Sequence, residues 1–229
     1  MQAAVAILLL FLTSHAASAQ TMPASFIDAA TVVDGLVVDM RYFGADNFVG
    51  KRIDGYDAAR CLLTRPAATA LAAAQRDLAR HGLGLEVYDC YRPTRAVAHF
   101  VRWARDLADV ARKADYYPDI DKRNLFRLGY IAERSGHSRG STVDITLVRR
   151  AGGEGDPDIG TPDMGTRFDF FSPKSWPGDI SVGKAAQRNR ALLAAAMGRA
   201  GFQAYNKEWW HFTLRNEPFP ARYFNFPVQ

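Results

Sequence analysis

A β-branched run with a carboxylate inside it constrains this chain more than any other feature. Residues 142 to 148 read Thr-Val-Asp-Ile-Thr-Leu-Val, an alternating pattern that predicts a strand. Side chains in a strand alternate with a period of two, so Asp144 shares a face with Thr142 and Thr146. A carboxylate buried in such a strand needs a partner, and a metal ion supplies one. The chain has five His and two Cys in 229 residues. Metal ligands are therefore few, and each His is worth following.

The surrounding pattern predicts the elements that would carry this strand. Leu36, Val38, Met40 and Tyr42 alternate along 36–43, which predicts a strand there. Pro66 opens a helix whose apolar stripe runs through Ala67, Ala70, Leu71, Ala74 and Leu78, and Gly82 closes it. Leu83 to Asp89 reads as a strand running into Tyr91-Arg92-Pro93. The helix after Pro93 is predicted to continue as far as Ala111, with Val97, Phe100, Ala104 and Leu107 on one side. Residues 151–166 hold five Gly and two Pro and read as a loop. A third helix is predicted over about 184–200 and ends at Gly201, followed by aromatic-rich strands around Phe202 and over 211–214. Helices and strands mix without regular βαβ alternation. That favours a single α+β domain with a central antiparallel sheet flanked by helices, and with Asp144 on the sheet.

The amino terminus predicts a destination. Val5 to Leu12 is an unbroken apolar run, and Ala17-Ser18-Ala19 follows as an A-x-A cleavage pattern. This reads as a secretory signal peptide over 1–19, leaving a domain over 20–229, although no Lys or Arg precedes the run. Export to a bacterial periplasm would put Cys61 and Cys90 in an oxidising compartment, where a disulfide is expected. No other segment is apolar enough to span a membrane. The net charge of +5 is spread along the chain and no nucleic-acid motif appears, so neither membrane nor nucleic acid is an expected partner.

His15 leaves with the leader. His81, beside the helix-ending Gly82, and His99, beside an apolar stripe, read as structural. His137 and His211 have chemically richer neighbours. Two His and one carboxylate leave the fourth position of a tetrahedral zinc ion open, which is the catalytic arrangement. Glu208, three residues before His211, is placed to act as a general base. Seven residues of straight strand would separate His137 from Asp144 by about 23 Å. A shared ion therefore requires a turn, which Gly136 and Gly140 permit. Glu208 and His211 have an odd offset, so Glu208 is expected in the turn before the last strand or on a bulge. The residues alone leave a second reading open: a surface His137 in a polar loop and a core His211 among aromatics. Gly136-His137-Ser138-Arg139-Gly140 also matches the G-x-S-x-G nucleophile elbow, with Asp169 and His211 following in order. The elbow needs a helix after its Ser, however, and here a strand is predicted.

Ser135-x-His137-x-x-Gly140-x-x-x-Asp144, together with Glu208-x-Trp210-His211, resembles the zinc D-alanyl-D-alanine dipeptidase family. The resemblance extends over about 28–228. It includes Asp46-Asn47-Phe48, Asp54-Gly55-Tyr56, Tyr91-Arg92-Pro93, Tyr116-Tyr117-Pro118, the 165–170 segment and Tyr223-Phe224-Asn225-Phe226-Pro227. It implies one zinc per chain held by His137, Asp144 and His211. Glu208 is implied as general base to the attacking water and then as acid to the leaving amine. Arg92 is implied to stabilise the oxyanion, Ser135 to contact the substrate carboxylate, and Asp169 with Tyr42 to hold the substrate ammonium. Tyr56 is implied to line the pocket. The implied activity is hydrolysis of the dipeptide D-alanyl-D-alanine to two D-alanine, in cell-wall peptide turnover or salvage. The alternatives are a zinc D,D- or L,D-carboxypeptidase on longer wall peptides, or a non-catalytic cell-wall-binding module.

Overall fold

Strand β5 (Thr142–Arg149) forms where the alternating run predicts it and lies at the middle of a five-stranded sheet. The structure is a computed structural model and describes residues 21–150 and 160–229. The leader predicted over 1–19 and residues 151–159 of the predicted loop lie outside the described residues. In chain order the elements are β1 (Phe26–Asp28), β2 (Val37–Val38), β3 (Leu62–Thr64), α1 (Arg65–Ala79), β4 (Leu83–Asp89), α2 (Thr94–Arg105), α3 (Lys113–Tyr116), α4 (Leu125–Leu128), β5, α5 (Lys184–Arg199), β6 (Phe202–Ala204) and β7 (His211–Leu214). The sheet order is β2-β4-β5-β7-β6, while β1 and β3 form a separate antiparallel pair. Four strands of the main sheet pair antiparallel, and the edge strand β2 runs parallel to β4. Helices α1 and α5 pack on each other and against the sheet. The expected α+β domain is present, with one parallel edge that the sequence did not suggest.

The register of the central strands builds one transverse row. Asp89 on β4 pairs with Asp144 on β5, and Asp144 pairs with His211 on β7. Residues directly opposite in a ladder project from the same face, so these three share one side of the sheet. Asp89 enters the row through a bulge: Val87 pairs with Ile145 but Asp89 pairs with Asp144, leaving Tyr88 as the extra residue. Val143, Ile145 and Leu147 project to the opposite face and are fully buried.

Two predicted elements are shorter than the pattern suggested. The strand predicted over 36–43 is only Val37–Val38, because the chain turns away under the control of Asn47. That buried amide donates to the carbonyls of Arg41, Gly44 and Lys51 and accepts from the amides of Val49 and Gly50. The helix expected to reach Ala111 ends at Arg105. Asp106 accepts from the Ala108 amide, and the buried Lys122 ammonium takes the carbonyls of Asp106 and Asp109, so local partners replace the next helical turn. Leu107 consequently points to solvent.

Cys61 and Cys90 are bonded, as expected, and both are fully buried. The bridge joins the segment before β3 to the residues that follow β4, and Tyr91 donates its amide to the Leu62 carbonyl beside it. With a sequence separation of 29 between the cysteines, the chain-entropy argument gives the bridge about 3 kcal/mol. Replacing both cysteines with Ser is expected to lower the free energy of unfolding by that amount, read as a reduced urea midpoint. An unchanged midpoint would contradict a stabilising role.

Candidate active site

A short 3-10 turn brings His137 back over the sheet. Ser135 caps the turn by accepting from the His137 amide, and the turn spans Gly136–Arg139. Gly140 ends it with φ 81°, a left-handed conformation, and a Cβ there would lie 2.2 Å from the Phe26 ring. Gly136 is held by a close approach, since a Cβ would meet the Thr142 hydroxyl at 2.9 Å. Both glycines therefore serve the reversal that the sequence required of them. Ser138 is fully buried and β5 follows directly, so the nucleophile-elbow reading lacks both its exposed Ser and its helix. His99 lies elsewhere, accepting from the Asp54 amide.

The turn sets His137, Asp144 and His211 together, with one ligand atom from each within 4.8 Å of the others. His137 Nε2 is 3.2 Å from Asp144 Oδ2, and His211 Nδ1 is 3.0 Å from Asp144 Oδ1. The two ring nitrogens are 3.3 Å apart. His137 Nδ1 lies 2.7 Å from the Cys90 carbonyl and donates to it. In the neutral imidazole that assignment leaves a lone pair on Nε2 facing the Asp144 carboxylate. Asp144 Oδ1 is buried without a well-aligned hydrogen bond. Acceptors that face one another in a dry site call for a cation, and the two-His, one-carboxylate donor set suits a divalent transition metal. The electrostatics agree. Burial would raise the Asp144 carboxyl, but the two imidazoles hold it well below the usual carboxylate range. Burial would lower His211, but Asp144 lifts it above the usual histidine range. Both shifts mark a position that favours positive charge.

Glu208 sits in the turn before β7, where its offset from His211 required it, with its carboxylate 3.4 Å from His211 Nδ1. Burial, reinforced by the charge of Asp144, pushes Glu208 up to about 7. Arg92 follows the end of β4. Its guanidinium makes 2.8 Å contacts with Asp89 and lies 3.5 Å from Asp144, stacked over Tyr42 and Phe100. Asp169 is among the buried residues and adopts φ 58°, the one left-handed residue other than Gly among the described residues. The Tyr42 hydroxyl donates to it at 2.7 Å. Burial and then the charge of Asp144 raise the Asp169 carboxyl well above its ordinary range.

Ser135, His137, Asp144, Asp169, Glu208 and Arg92 all line one cleft of about 190 Å³, and Tyr42 lines it with them. Phe48, Phe100, Ile131 and Phe171 supply apolar wall that the sequence reading did not single out. Tyr130 and Tyr205 also line it, close enough to Glu208 that its charge adds to burial in raising both phenols. Tyr56 departs from expectation. It is fully buried behind the cleft, with its hydroxyl bonded to Asp89 at 2.6 Å. Asp89 itself went unnoticed in the sequence. The available signal was a carboxylate ending an apolar strand three residues before Arg92.

If a cation belongs among these three side chains, adding Zn²⁺ should stabilise the fold. At a hundredfold excess over Kd the gain is about 2.7 kcal/mol, or roughly 5–10 °C in Tm for a domain of this size. A chelator should reverse the gain, and His211→Ala should abolish it. An equal rise in Tm for His211→Ala would contradict the assignment.

Comparison with known proteins covers nearly the whole of the described chain. The profile of the peptidase family described as D-ala-D-ala dipeptidase matches residues 22–229. The D-alanyl-D-alanine dipeptidase of Enterococcus faecium is 41% identical over 205 residues, covering 90% of this chain and 98% of the relative. That of Streptomyces coelicolor is 42% identical over 204 residues, covering 89% and 97%. That of Escherichia coli is 37% identical over 188 residues, covering 82% and 83%. Among solved structures, a zinc complex of the vancomycin-resistance D,D-pentapeptidase VanY aligns with a TM-score of 0.40 and 14% identity over 78% of this chain and 85% of that one. That likeness is too distant to bear on the site. The chain thus belongs to the D-alanyl-D-alanine dipeptidase family of metallopeptidases.

Proposed function

We propose that this chain is an exported zinc dipeptidase that hydrolyses D-alanyl-D-alanine to two D-alanine, one zinc ion serving each chain. The observation that carries the reading is a single cleft that brings together three side chains able to hold a cation, a buried carboxyl raised to about 7 and a guanidinium ion-paired to Asp89. Near-complete coverage of relatives named D-alanyl-D-alanine dipeptidase supports the substrate. His137 Nε2, Asp144 and His211 Nδ1 would hold the zinc, which supplies Lewis acidity to water and to the peptide carbonyl.

The chain's own groups perform the remaining work. Glu208 accepts the proton of the attacking water and returns it to the leaving amine. A carboxyl set near 7 by burial suits both transfers at neutral pH. Arg92 offers N–H donors to the oxyanion as charge develops there, and its contacts with Asp89 hold it in place beforehand. Asp169 and Tyr42 receive the substrate ammonium, and that cation favours the ionised form of a carboxyl which burial otherwise disfavours. Ser135, already capping the His137 turn, presents its hydroxyl to the substrate carboxylate. A buried carboxyl at one end of a small cleft selects for length, since a longer peptide has no ammonium at that distance.

The leader over 1–19 and the Cys61–Cys90 bond support a periplasmic location, which fits turnover or salvage of wall-derived dipeptide. The test is a substrate panel with zinc-loaded protein: D-Ala-D-Ala, L-Ala-L-Ala and a pentapeptide ending in D-Ala-D-Ala. The expected outcome is turnover of D-Ala-D-Ala alone, with Glu208→Gln abolishing it while zinc stays bound. Comparable cleavage of the pentapeptide would favour a carboxypeptidase. Binding of wall peptide without turnover would favour a non-catalytic module. Activity retained by Glu208→Gln would contradict the mechanism.

A further inference from the structure

We infer that Asp89 is a positioning residue that sets the metal ligand His137 and the oxyanion-facing Arg92 from one carboxylate; this deepens the dipeptidase reading and rests on it. Asp89 is fully buried and reaches the cleft only through its neighbours. Both of its oxygens are engaged. Oδ1 accepts from the Tyr56 hydroxyl at 2.6 Å. Oδ2 accepts from Arg92 Nε at 2.8 Å, forms an ion pair with Arg92 Nη2 at 2.8 Å, and lies 3.3 Å from His137 Nδ1.

The consequences for the two partners differ. At His137, the Cys90 carbonyl and the Asp89 carboxylate together hold the proton on Nδ1, so Nε2 faces Asp144 and His211 as a ligand. At Arg92, the hydrogen bond from Nε and the Nη2 ion pair to the same oxygen fix the plane of the guanidinium against Tyr42 and Phe100, leaving its other N–H groups for the cleft. The β4 bulge brings Asp89 beside Asp144, and Arg92 is shared between the two carboxylates. Without the bulge, the strand's alternation would turn Asp89 to the other face. Tyr56 backs the arrangement from behind, which explains its burial away from the cleft.

Asp89→Asn keeps the shape and removes the charge. It is expected to lower kcat on the dipeptide by about 10- to 100-fold with KM nearly unchanged, and to weaken zinc by a similar factor in competition with a chelator. In an Arg92→Ala background the same substitution should cost much less kcat, because the guanidinium it aims is already gone. Its effect on zinc affinity should persist there, because that runs through His137. Tyr56→Phe removes one bond to Asp89 and keeps the carboxylate, so it tests the inference even if Asp89→Asn fails to fold. It should lower kcat severalfold with its zinc affinity reduced in step. Unchanged kcat and zinc affinity in a folded Asp89→Asn, or in Tyr56→Phe where the former does not fold, would overturn the inference while leaving the dipeptidase reading intact. Inactivity of the unsubstituted protein on D-Ala-D-Ala would instead overturn that reading, and the chelator competition would still report on Asp89 and His137.

Discussion

Everything in the cleft depends on packing carboxylates side by side in a dry row across the sheet. Asp89 and Asp144 are opposite each other on neighbouring strands, both essentially out of solvent. Carboxylates buried this close together need positively charged partners beside them. Arg92 lies against both, and the imidazoles of His137 and His211 close on Asp144 from the turn and from β7. The same requirement that makes the row costly to fold makes it a strong cation site. Nearby, burial raises Asp169 and Glu208 even with the Tyr42 hydroxyl on the first and His211 3.4 Å from the second. The cleft therefore separates its carboxyls by environment into two that hold positive charge and two that can exchange protons or meet an ammonium.

Such a site needs a rigid frame, and the chain builds one from buried polar anchors. Arg190 on α5 donates to the carbonyls of Met164, Lys174 and Trp176, which fixes the segment that presents Asp169 in its left-handed conformation. Trp209 ties that segment to the Glu208 turn, with its indole N–H on the Thr166 hydroxyl and its amide on the Ser175 carbonyl. Asp46 takes Arg41, Arg112, Arg167 and Tyr116 together, linking the Tyr42 loop to the other side of the ammonium site. The disulfide holds Cys90, whose carbonyl orients His137. Each anchor acts on a loop, and each loop carries one working side chain.

Much of this was legible in the residues, for physical reasons that also mark where legibility stopped. The period of two placed Asp144 on a face, and the spacing of Gly136 and Gly140 allowed the reversal that His137 needs. The odd offset of Glu208 from His211 put Glu208 in a turn. The roles of Arg92, Ser135 and Asp169 came from family resemblance, since nothing local in their neighbourhoods names them. Tyr42 was misread as strand because the contacts that turn the chain come from Asn47, five residues on. The α2 helix ends early because Lys122, distant in sequence, captures the carbonyls of Asp106 and Asp109 just beyond it. Asp89 was overlooked because a bulge alters register without leaving a signature in hydrophobic alternation, and the bulge is what turns a strand-ending Asp into the centre of the site.

The central claim is that His137, Asp144 and His211 form one metal centre. Diffraction from crystals grown with zinc, recorded on both sides of the zinc absorption edge, tests it most directly. The expected result is one strong anomalous peak per chain at about 2.0–2.2 Å from His137 Nε2, an Asp144 oxygen and His211 Nδ1, with Glu208 outside the coordination sphere. A peak bound by other residues, or a well-ordered cleft with no peak at full zinc occupancy in solution, would contradict it.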